Sequence, residues 1–126
     1  MSRDAVSTRR KGEIGEQAAA SYLSLKGWTV LERNFHSPAG EIDIIAAKGD
    51  EVAFVEVKSW RSVPRDELGR SIGPRKQARI ARAARLFLAR RPDLVDAHLR
   101  FDVVFLGGVE GRIEHIPGAF TGEGID

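Results

Sequence analysis

The sequence has 126 residues, which is enough for one domain with a buried core and too few for two. It contains no cysteine, which excludes disulfides and cysteine-bound zinc, and its three histidines lack the close spacing of a metal site. No apolar run approaches the ~20 residues of a membrane span, and the polar start lacks the apolar segment of a secretory signal. We therefore expect a cytoplasmic protein without membrane contact.

The net charge of +2 is unevenly distributed along the chain. Between Gly69 and Pro92 there are eight arginine and lysine residues and no acidic residue, so the remainder of the chain has a net charge of −6. A basic segment in an otherwise acidic chain favours a polyanionic partner, such as nucleic acid, for one face of the protein.

The first predicted element is a helix from about Gly12 to Lys26, preceded by residues 1–11, which are polar and expected to be flexible. An apolar stripe at helical spacing predicts its buried face: Ile14, Ala18, Tyr22 and Leu25. Gly27 suits the position after a helix, whereas the glycines of the first turn disfavour helix and indicate a close approach to another backbone. Glu16, at the edge of the buried face, is either a solvated carboxylate favoured by the helix dipole or part of a site.

After a first strand at Trp28–Phe35, the sequence predicts a hairpin of two strands, Glu41–Ala47 and Val52–Lys58, joined by a four-residue loop. Side chains alternate between the two faces of a strand, so each of these strands has one apolar face and one partly charged face. The residues expected to share the apolar face of the first are Ile42, Ile44 and Ala46.

The loop length sets the pairing of these two strands. If Ala47 lies opposite Val52, Asp43 lies opposite Glu56, with Cβ atoms about 4.5–5.5 Å apart. Two carboxylates at this distance need a compensating charge, and Mg²⁺ is often held by only one or two carboxylates. Lys58, one pleat beyond Glu56, is expected on the same face. The same pattern also fits the solvated face of an ordinary half-exposed hairpin.

Residues 59–72 have no clear period and include Trp60 and Arg61, so they form either a segment that grips a substrate or an ordinary surface loop. A second helix is predicted from Pro74 to about Arg90. Its core stripe is Ile80, Ala84, Phe87 and Leu88, and beside it lies a basic ridge of Arg75, Arg79, Arg82 and Arg85. The ridge fits a solvated helix face, but because this helix carries no acidic residue we favour contact with phosphates.

Two further strands are predicted at His98–Leu106 and Arg112–Ile116, followed by an irregular tail at residues 117–126. Asp102, in the middle of an apolar strand, is expected to have a partner or to lie near the site. The order α-β-β-β-α-β-β predicts a single α/β domain, residues 1–126, in which an α/β/α sandwich surrounds a mixed, mainly five-stranded sheet.

Two motifs of the hairpin, GEIDIIA and FVEVK, resemble the core of the PD-(D/E)xK nucleases, the fold of restriction endonucleases and archaeal Holliday-junction resolvases. Over most of its length the chain is similar to a narrower bacterial group, the YraN-like family. The matching positions are GEIGEQAA, Arg33-Asn34, the two hairpin motifs, Lys76-Gln77, RFDVV and Ala119-Phe120. Ile42 stands where the nuclease signature has proline, and Trp60 where relatives often have arginine two residues after the motif lysine.

The resemblance implies a restriction endonuclease-like fold and hydrolysis of DNA phosphodiester bonds that depends on Mg²⁺ or Mn²⁺. It implies that Asp43 and Glu56 are catalytic metal ligands, that Lys58 is the motif lysine, and that Glu16 is a further acid of the site that helps to hold metal. The residues expected to contact nucleic acid are Arg61, Lys76, Gln77 and the four arginines of the ridge.

We therefore expect a metal-dependent DNA endonuclease that acts on branched DNA in repair or recombination. Because no base-reading motif is visible, recognition should follow the structure of the DNA more than its sequence. Two alternatives stay open: a non-catalytic nucleic-acid-binding domain with the same fold, and a protein-interaction domain that uses the basic helix. The sequence does not decide between a monomer and a homodimer.

Overall fold

The computed structural model describes residues 3–59, 72–107 and 111–121. Its helices are α1 (Arg3–Leu25), α2 (Pro74–Ala89) and a short 3₁₀ helix (Pro92–Leu94). Its strands are β1 (Thr29–Ser37), β2 (Gly40–Lys48), β3 (Glu51–Ser59), β4 (His98–Leu106) and β5 (Glu114–Phe120). The predicted element order is confirmed. In the described part of the chain, no helix is long and apolar enough to cross a membrane.

The five strands form one mixed sheet in the order β1-β2-β3-β4-β5. β3 and β4 are parallel, and the other neighbouring strands are antiparallel. Phe54 and Phe101 pack with α2 on one face of the sheet, whereas Ala46 and Val55 pack with α1 on the other. The protein thus has the predicted three layers, and both faces of its central strands are buried.

The α1 helix differs from its prediction in length and in its buried face. It begins at Arg3, so the segment predicted to be flexible is largely helical. Ile14 and Leu25 of the predicted stripe are 63% and 87% exposed, and the buried residues are instead Ala19, Ala20 and Leu23. The alanines let the helix lie close to the small residues of the sheet beneath it. A Cβ at Gly15 would lie 2.9 Å from the Leu106 side chain, so the close approach is to a side chain and not to a backbone.

The central hairpin has the predicted pairing, because Ala47 lies opposite Val52. Lys48 also pairs with Glu51, so the connection is a two-residue turn and not the predicted four-residue loop. Gly49, with a φ of 61°, occupies the first turn position, where a positive φ favours glycine.

The predicted apolar face of β2 is wrong at one residue. Ile42 packs on the α2 side, whereas Ile44 packs on the α1 side. Regular alternation is therefore broken around Asp43. On the neighbouring strand β1, the residue between the partners of Ile44 and Ile42 is Asn34, whose φ of 53° interrupts regular extended backbone at the same level.

The end of the chain is more regular than the sequence predicts. β5 continues to Phe120, so residues 117–120 belong to a strand and not to an irregular tail. Pro117 is compatible with this because β5 lies at the edge of the sheet, where one side of the strand needs no partner. Residues 60–71, which include the predicted DNA contact Arg61, lie outside the described residues.

Asp102 has partners, as expected, and lies on the α1 side of the sheet, away from the hairpin acids. Its side chain is fully buried and accepts hydrogen bonds from Arg100 Nη2 at 2.9 Å and from the Gly118 N–H at 3.0 Å. His115 Nε2 lies 2.7 Å from the same carboxylate, which can only accept, so this nitrogen carries the proton. Arg100 also contacts Glu51 and stacks on Trp28. The network therefore joins β3, β4 and β5.

Candidate active site at the end of the central hairpin

The carboxylates of Asp43 and Glu56 lie side by side where the β2–β3 ladder ends. The last pair of this ladder is Ile44 with Val55. Two residues further along β3, the Val57 N–H donates to Asp43 Oδ2 at 2.8 Å, so the aspartate side chain takes up a backbone donor of the neighbouring strand. The two carboxyl groups are within hydrogen-bonding reach of each other. Asp43 and Glu56 therefore lie next to each other, as the predicted register implies.

Burial and mutual repulsion disfavour the charged form of this pair. Burial raises the pKa of Asp43 to about 7, with a further contribution from the charge of Glu56. The hydrogen bond from Val57 and the charge of Lys76 oppose this rise in pKa without cancelling it. Glu56 is only 7% exposed. The pair therefore retains a proton for part of the time at neutral pH. Additional positive charge, such as that of a bound cation, would stabilise the charged form of both carboxylates.

Lys76 of α2 is in contact with this pair. Its Nζ lies 2.5 Å from Glu56 Oε1. Lys58 is half-buried on the same face of β3 as Glu56, by the alternation of the strand. Among the described residues, however, a cleft of about 340 Å³ is lined by Lys76 and not by Lys58; its lining is Gly40, Glu41, Asp43, Glu56, Lys76, Arg79 and Ile80.

A larger groove of about 1090 Å³ lies at the opposite end of the sheet, around the start of β4 and the end of β5. Its described lining is mainly apolar and includes Leu94, Val95 and Phe120 but no acidic residue. We place the candidate active site at the smaller cleft because only that one combines buried carboxylates with basic side chains.

Glu16 of α1 lies near the cleft but not in it. Burial is the main cause of its raised pKa, and the charges of Asp43 and Glu41 add to the rise. A hydrogen bond with the Asn34 side chain and the charge of Arg33 oppose it. Among the described residues, no three acidic or histidine side chains converge on one point. Glu16 is therefore close enough to feel the charge of Asp43 without completing a three-residue ligand set.

Arg33 and Asn34 are two polar residues beside the site for which the motif spacing predicts no role. Arg33 Nη1 donates to Gln17 Oε1 at 2.8 Å, and its Nε is buried without a protein partner. Asn34 links β1 to Glu16. The sequence offers two signals, the match of Arg33-Asn34 to the YraN-like family and the tolerance of asparagine for a positive φ, and neither reveals a partner on α1.

The predicted DNA-contacting residues separate into two groups in the structure. The four arginines of the ridge are exposed on α2: Arg75, Arg79, Arg82 and Arg85. Lys76 instead turns towards Glu56, and Gln77 Nε2 donates to the Ile72 carbonyl at 2.8 Å, where it supports the start of α2. Arg79 belongs to both the ridge and the cleft lining, so the basic surface is continuous with the acidic pair.

The residues of the cleft suit Mg²⁺ or Mn²⁺ in their donor chemistry. A small hard cation takes carboxylate oxygens, often only two from the protein, and completes its shell with water and phosphate. Asp43 and Glu56 supply such oxygens, and the raised pKa of Asp43 indicates that additional positive charge would be accommodated. A bound ion would be expected to lower this pKa.

The raised pKa of Asp43 predicts how the stability of the metal-free protein depends on pH. The unfolded aspartate titrates near 3.8 and the folded one near 7, so the folded protein binds more protons between these values. The free energy of unfolding should therefore fall as pH rises from about 4 to about 7. Asp43→Asn keeps an acceptor for Val57 N–H but removes the charge, so at pH 8 it should be more stable than the parent by roughly 2–4 kcal/mol.

Urea denaturation in EDTA between pH 4.5 and pH 8 measures this effect. Asp96→Asn, which changes an exposed carboxylate, is the matched control and should keep the parent's pH profile. Glu16, whose pKa is also raised, contributes a slope of the same sign. Asp96→Asn retains this contribution, whereas Asp43→Asn reduces it because the charge of Asp43 adds to the rise in the pKa of Glu16. An Asp43→Asn profile that is as steep as that of the parent would contradict the assignment.

A mixed sheet between two helices, with a buried pair of carboxylates beside a basic helix, defines an α/β domain with a candidate cation- and phosphate-binding cleft. Residues 15–106 match the model of Uncharacterised protein family UPF0102, and the chain belongs to that family. The match covers the hairpin, α2 and β4, and therefore both carboxylates of the site.

Relatives of similar length accompany this family match. A UPF0102 protein of Syntrophus aciditrophicus is 47% identical over 116 residues, which cover 88% of each chain. A UPF0102 protein of Paramagnetospirillum magneticum is 43% identical over 117 residues, covering 89% of this chain and 88% of its own. One from Moorella thermoacetica is 43% identical over 116 residues, covering 89% of this chain and 96% of its own.

Proposed function

We propose that this protein is a metal-dependent DNA endonuclease whose cleft holds Mg²⁺ or Mn²⁺ between Asp43 and Glu56. The observation that carries the proposal is the buried carboxylate pair, in which Asp43 has a pKa near 7 although Lys76 already contacts Glu56. Such a pair is unfavourable in an ordinary hairpin and suits a site that takes up a cation. The resemblance of the two hairpin motifs to nucleases supports the same chemistry.

The cleft residues and the neighbouring Lys58 would have separate roles in phosphodiester hydrolysis. Asp43 and Glu56 would hold the ion, with a main-chain carbonyl near Val57 as a further ligand. When bound, the ion supplies positive charge at the phosphate oxygens and lowers the pKa of a bound water. Arg79, at the rim, would bind the phosphate that enters the cleft. Lys58 would orient the attacking water or offset developing charge from the same face of β3.

Glu16 has a supporting role in this proposal. It lies outside the cleft lining, so it would act on a second ion or on ordered water and not as a direct ligand of the first. Its hydrogen bond with Asn34 holds it beside β1, at the level where β2 and β3 separate. From this position, the charge of Glu16 on α1 acts on Asp43 from the side of the sheet opposite α2.

DNA is the proposed substrate because the exposed ridge offers four guanidinium groups next to the cleft. Guanidinium groups bind phosphates in paired hydrogen bonds, whereas sequence recognition requires side chains directed at base edges. The ridge therefore favours recognition of the backbone and of DNA shape, and branched DNA presents several backbones at once.

Neutralising the ridge is expected to weaken DNA binding about equally for different sequences. The fourfold change to alanine at Arg75, Arg79, Arg82 and Arg85 should also reduce the slope of log affinity against log salt by roughly one unit per lost phosphate contact. Fluorescence anisotropy with labelled duplex at several salt concentrations, in EDTA, measures the slope. The matched fourfold change to lysine keeps the charge and should keep the slope. An unchanged slope in the alanine variant would refute phosphate contact by the ridge.

A non-catalytic nucleic-acid-binding domain is the second candidate function. It is favoured by one observation: among the described residues, no three acidic or histidine side chains are placed to hold one metal ion together. Titration of Mg²⁺ against labelled four-way and flapped DNA separates the candidates. Cleavage supports the nuclease, binding without cleavage supports the binding domain, and the absence of both supports a protein-interaction domain that uses the basic helix.

A further inference from the structure

Lys76 projects from the inner face of α2 and not from its basic ridge. It precedes Ile80 and Ala84 at intervals of four residues, and both of these are buried against the sheet. The lysine therefore continues the core stripe of the helix to the point where the hairpin strands separate. There its ammonium group meets Glu56, whose side chain is 8% exposed, while the lysine side chain itself is 39% exposed.

The ion pair of Lys76 and Glu56 uses one of the oxygens that a bound metal ion would need. A buried carboxylate is unfavourable without a partner, and Lys76 supplies a partner to Glu56 in the metal-free protein. An ammonium group cannot be a metal ligand, and two cations repel each other at one oxygen. The half-exposed lysine has a flexible four-carbon stem, so its ammonium group is free to leave Glu56 without movement of α2.

We infer that Lys76 is a displaceable counter-ion of the Asp43–Glu56 pair: it holds Glu56 in the metal-free protein and turns to a substrate phosphate in the cleft when a divalent cation is bound. The inference rests on the proposed function and adds a phosphate-positioning residue to it. Lys76 and Arg79 line the same cleft, so a phosphate bound by Arg79 would lie within reach of the lysine side chain.

If Lys76 and a metal ion compete for Glu56, removing the charge of Lys76 should have two measurable effects. Removing the charge of Lys76 should increase the affinity for a divalent cation, because the ion no longer displaces a favourable partner. The same change should weaken DNA binding only when a divalent ion is present, because in EDTA the lysine is occupied by Glu56. A lysine with a purely structural role would affect stability but would not produce this metal-conditional loss.

The first measurement is calorimetric titration of Mn²⁺ without DNA into the parent, Lys76→Met and Lys76→Arg. Lys76→Met removes the charge at similar length and should bind Mn²⁺ about tenfold more tightly, whereas Lys76→Arg should resemble the parent. Lys76→Met should also unfold at lower urea concentration in EDTA and recover in Mn²⁺. If it does not fold without metal, Lys76→Gln, which can still donate a hydrogen bond to Glu56, replaces it.

The second measurement is DNA affinity in EDTA and in Ca²⁺, a cation that takes the same oxygen ligands as Mg²⁺. Lys76→Met should weaken binding several-fold in Ca²⁺ and leave it unchanged in EDTA. Arg79→Met is the matched control, because it changes the neighbouring cleft residue that is not paired with Glu56. It should weaken binding in both conditions.

The outcomes separate this inference from the proposed function. Tighter Mn²⁺ binding by Lys76→Met together with the Ca²⁺-conditional loss supports the counter-ion role, even if no DNA is cut. Equal or weaker Mn²⁺ binding by Lys76→Met, with cleavage by the parent intact, overturns the inference and leaves the nuclease proposal standing. Absence of Mn²⁺ binding in the parent as well as the variants overturns both.

Discussion

Asp43→Asn and Glu56→Gln are each expected to reduce Mg²⁺-dependent DNA cleavage by about 10²–10³-fold while largely preserving DNA binding. Each variant removes the charge of one carboxylate that would hold the ion, and loss of one preorganised electrostatic contact typically costs about 10²–10³ in rate. Affinity should survive because the proposed phosphate contacts are made mainly by the exposed arginines of α2. The amide variants are preferable to alanine because the side-chain carbonyl in Asp43→Asn still accepts from the N–H of Val57.

Single-turnover cleavage at saturating Mg²⁺, together with anisotropy in EDTA, measures the two effects separately. Asp50→Asn is the matched control: it lies on the same hairpin, at the turn, with a side chain that is 76% exposed. It should cut at the rate of the parent. Cleavage by Asp43→Asn at a rate close to that of this control would show that the carboxylate pair is not the catalytic centre.

Asp102→Ala is expected to destabilise the protein by roughly 3–5 kcal/mol, because it removes the fully buried acceptor of Arg100, His115 and Gly118. The guanidinium group of Arg100 would keep its contact with Glu51 but lose its contact with Asp102. Thermal unfolding should shift by at least about 10 °C. Amide exchange at Gly118 should accelerate as well, because its N–H donates to the missing carboxylate.

The sign of the pH dependence provides a second test of this network. Burial alone would raise the pKa of Asp102, but the hydrogen bonds from His115, Arg100 and Gly118 and the charge of Arg100 lower it below 3.8. The stabilisation is therefore present above pH 4 and is lost as pH falls through the lowered pKa. Asp96→Ala, at an exposed position, should change stability by no more than about 0.5 kcal/mol. A similarly small effect of Asp102→Ala would contradict the structural role of the network.

The hairpin could be predicted from the sequence because its signals are local. Apolar residues alternate in both strands, and the short connection leaves one register that buries them. That register ends at the pair Ile44–Val55, and Asp43 and Glu56 are the next residues on the two strands. The turn at Gly49 was shorter than predicted, but the pairing was unaffected because Lys48 and Glu51 extend the same ladder by one pair.

The partner of the pair could not be predicted in the same way, because Lys76 reaches Glu56 from another element across twenty residues of sequence. The spacing on β3 favoured Lys58, and only the placement of α2 on the sheet shows which lysine enters the cleft. Ile42 was assigned to the wrong face for a related reason: Asn34 on β1 interrupts the regular strand, and asparagine alone does not predict a positive φ.

Single-turnover assays of the purified protein on four-way, flapped and linear DNA test most directly whether the buried carboxylates of this hairpin catalyse cleavage of DNA. With Mg²⁺ or Mn²⁺ we predict cleavage that is faster on branched than on linear DNA and that EDTA abolishes. Binding of all three substrates without any cleavage, in either ion, would contradict the claim and favour the non-catalytic nucleic-acid-binding domain.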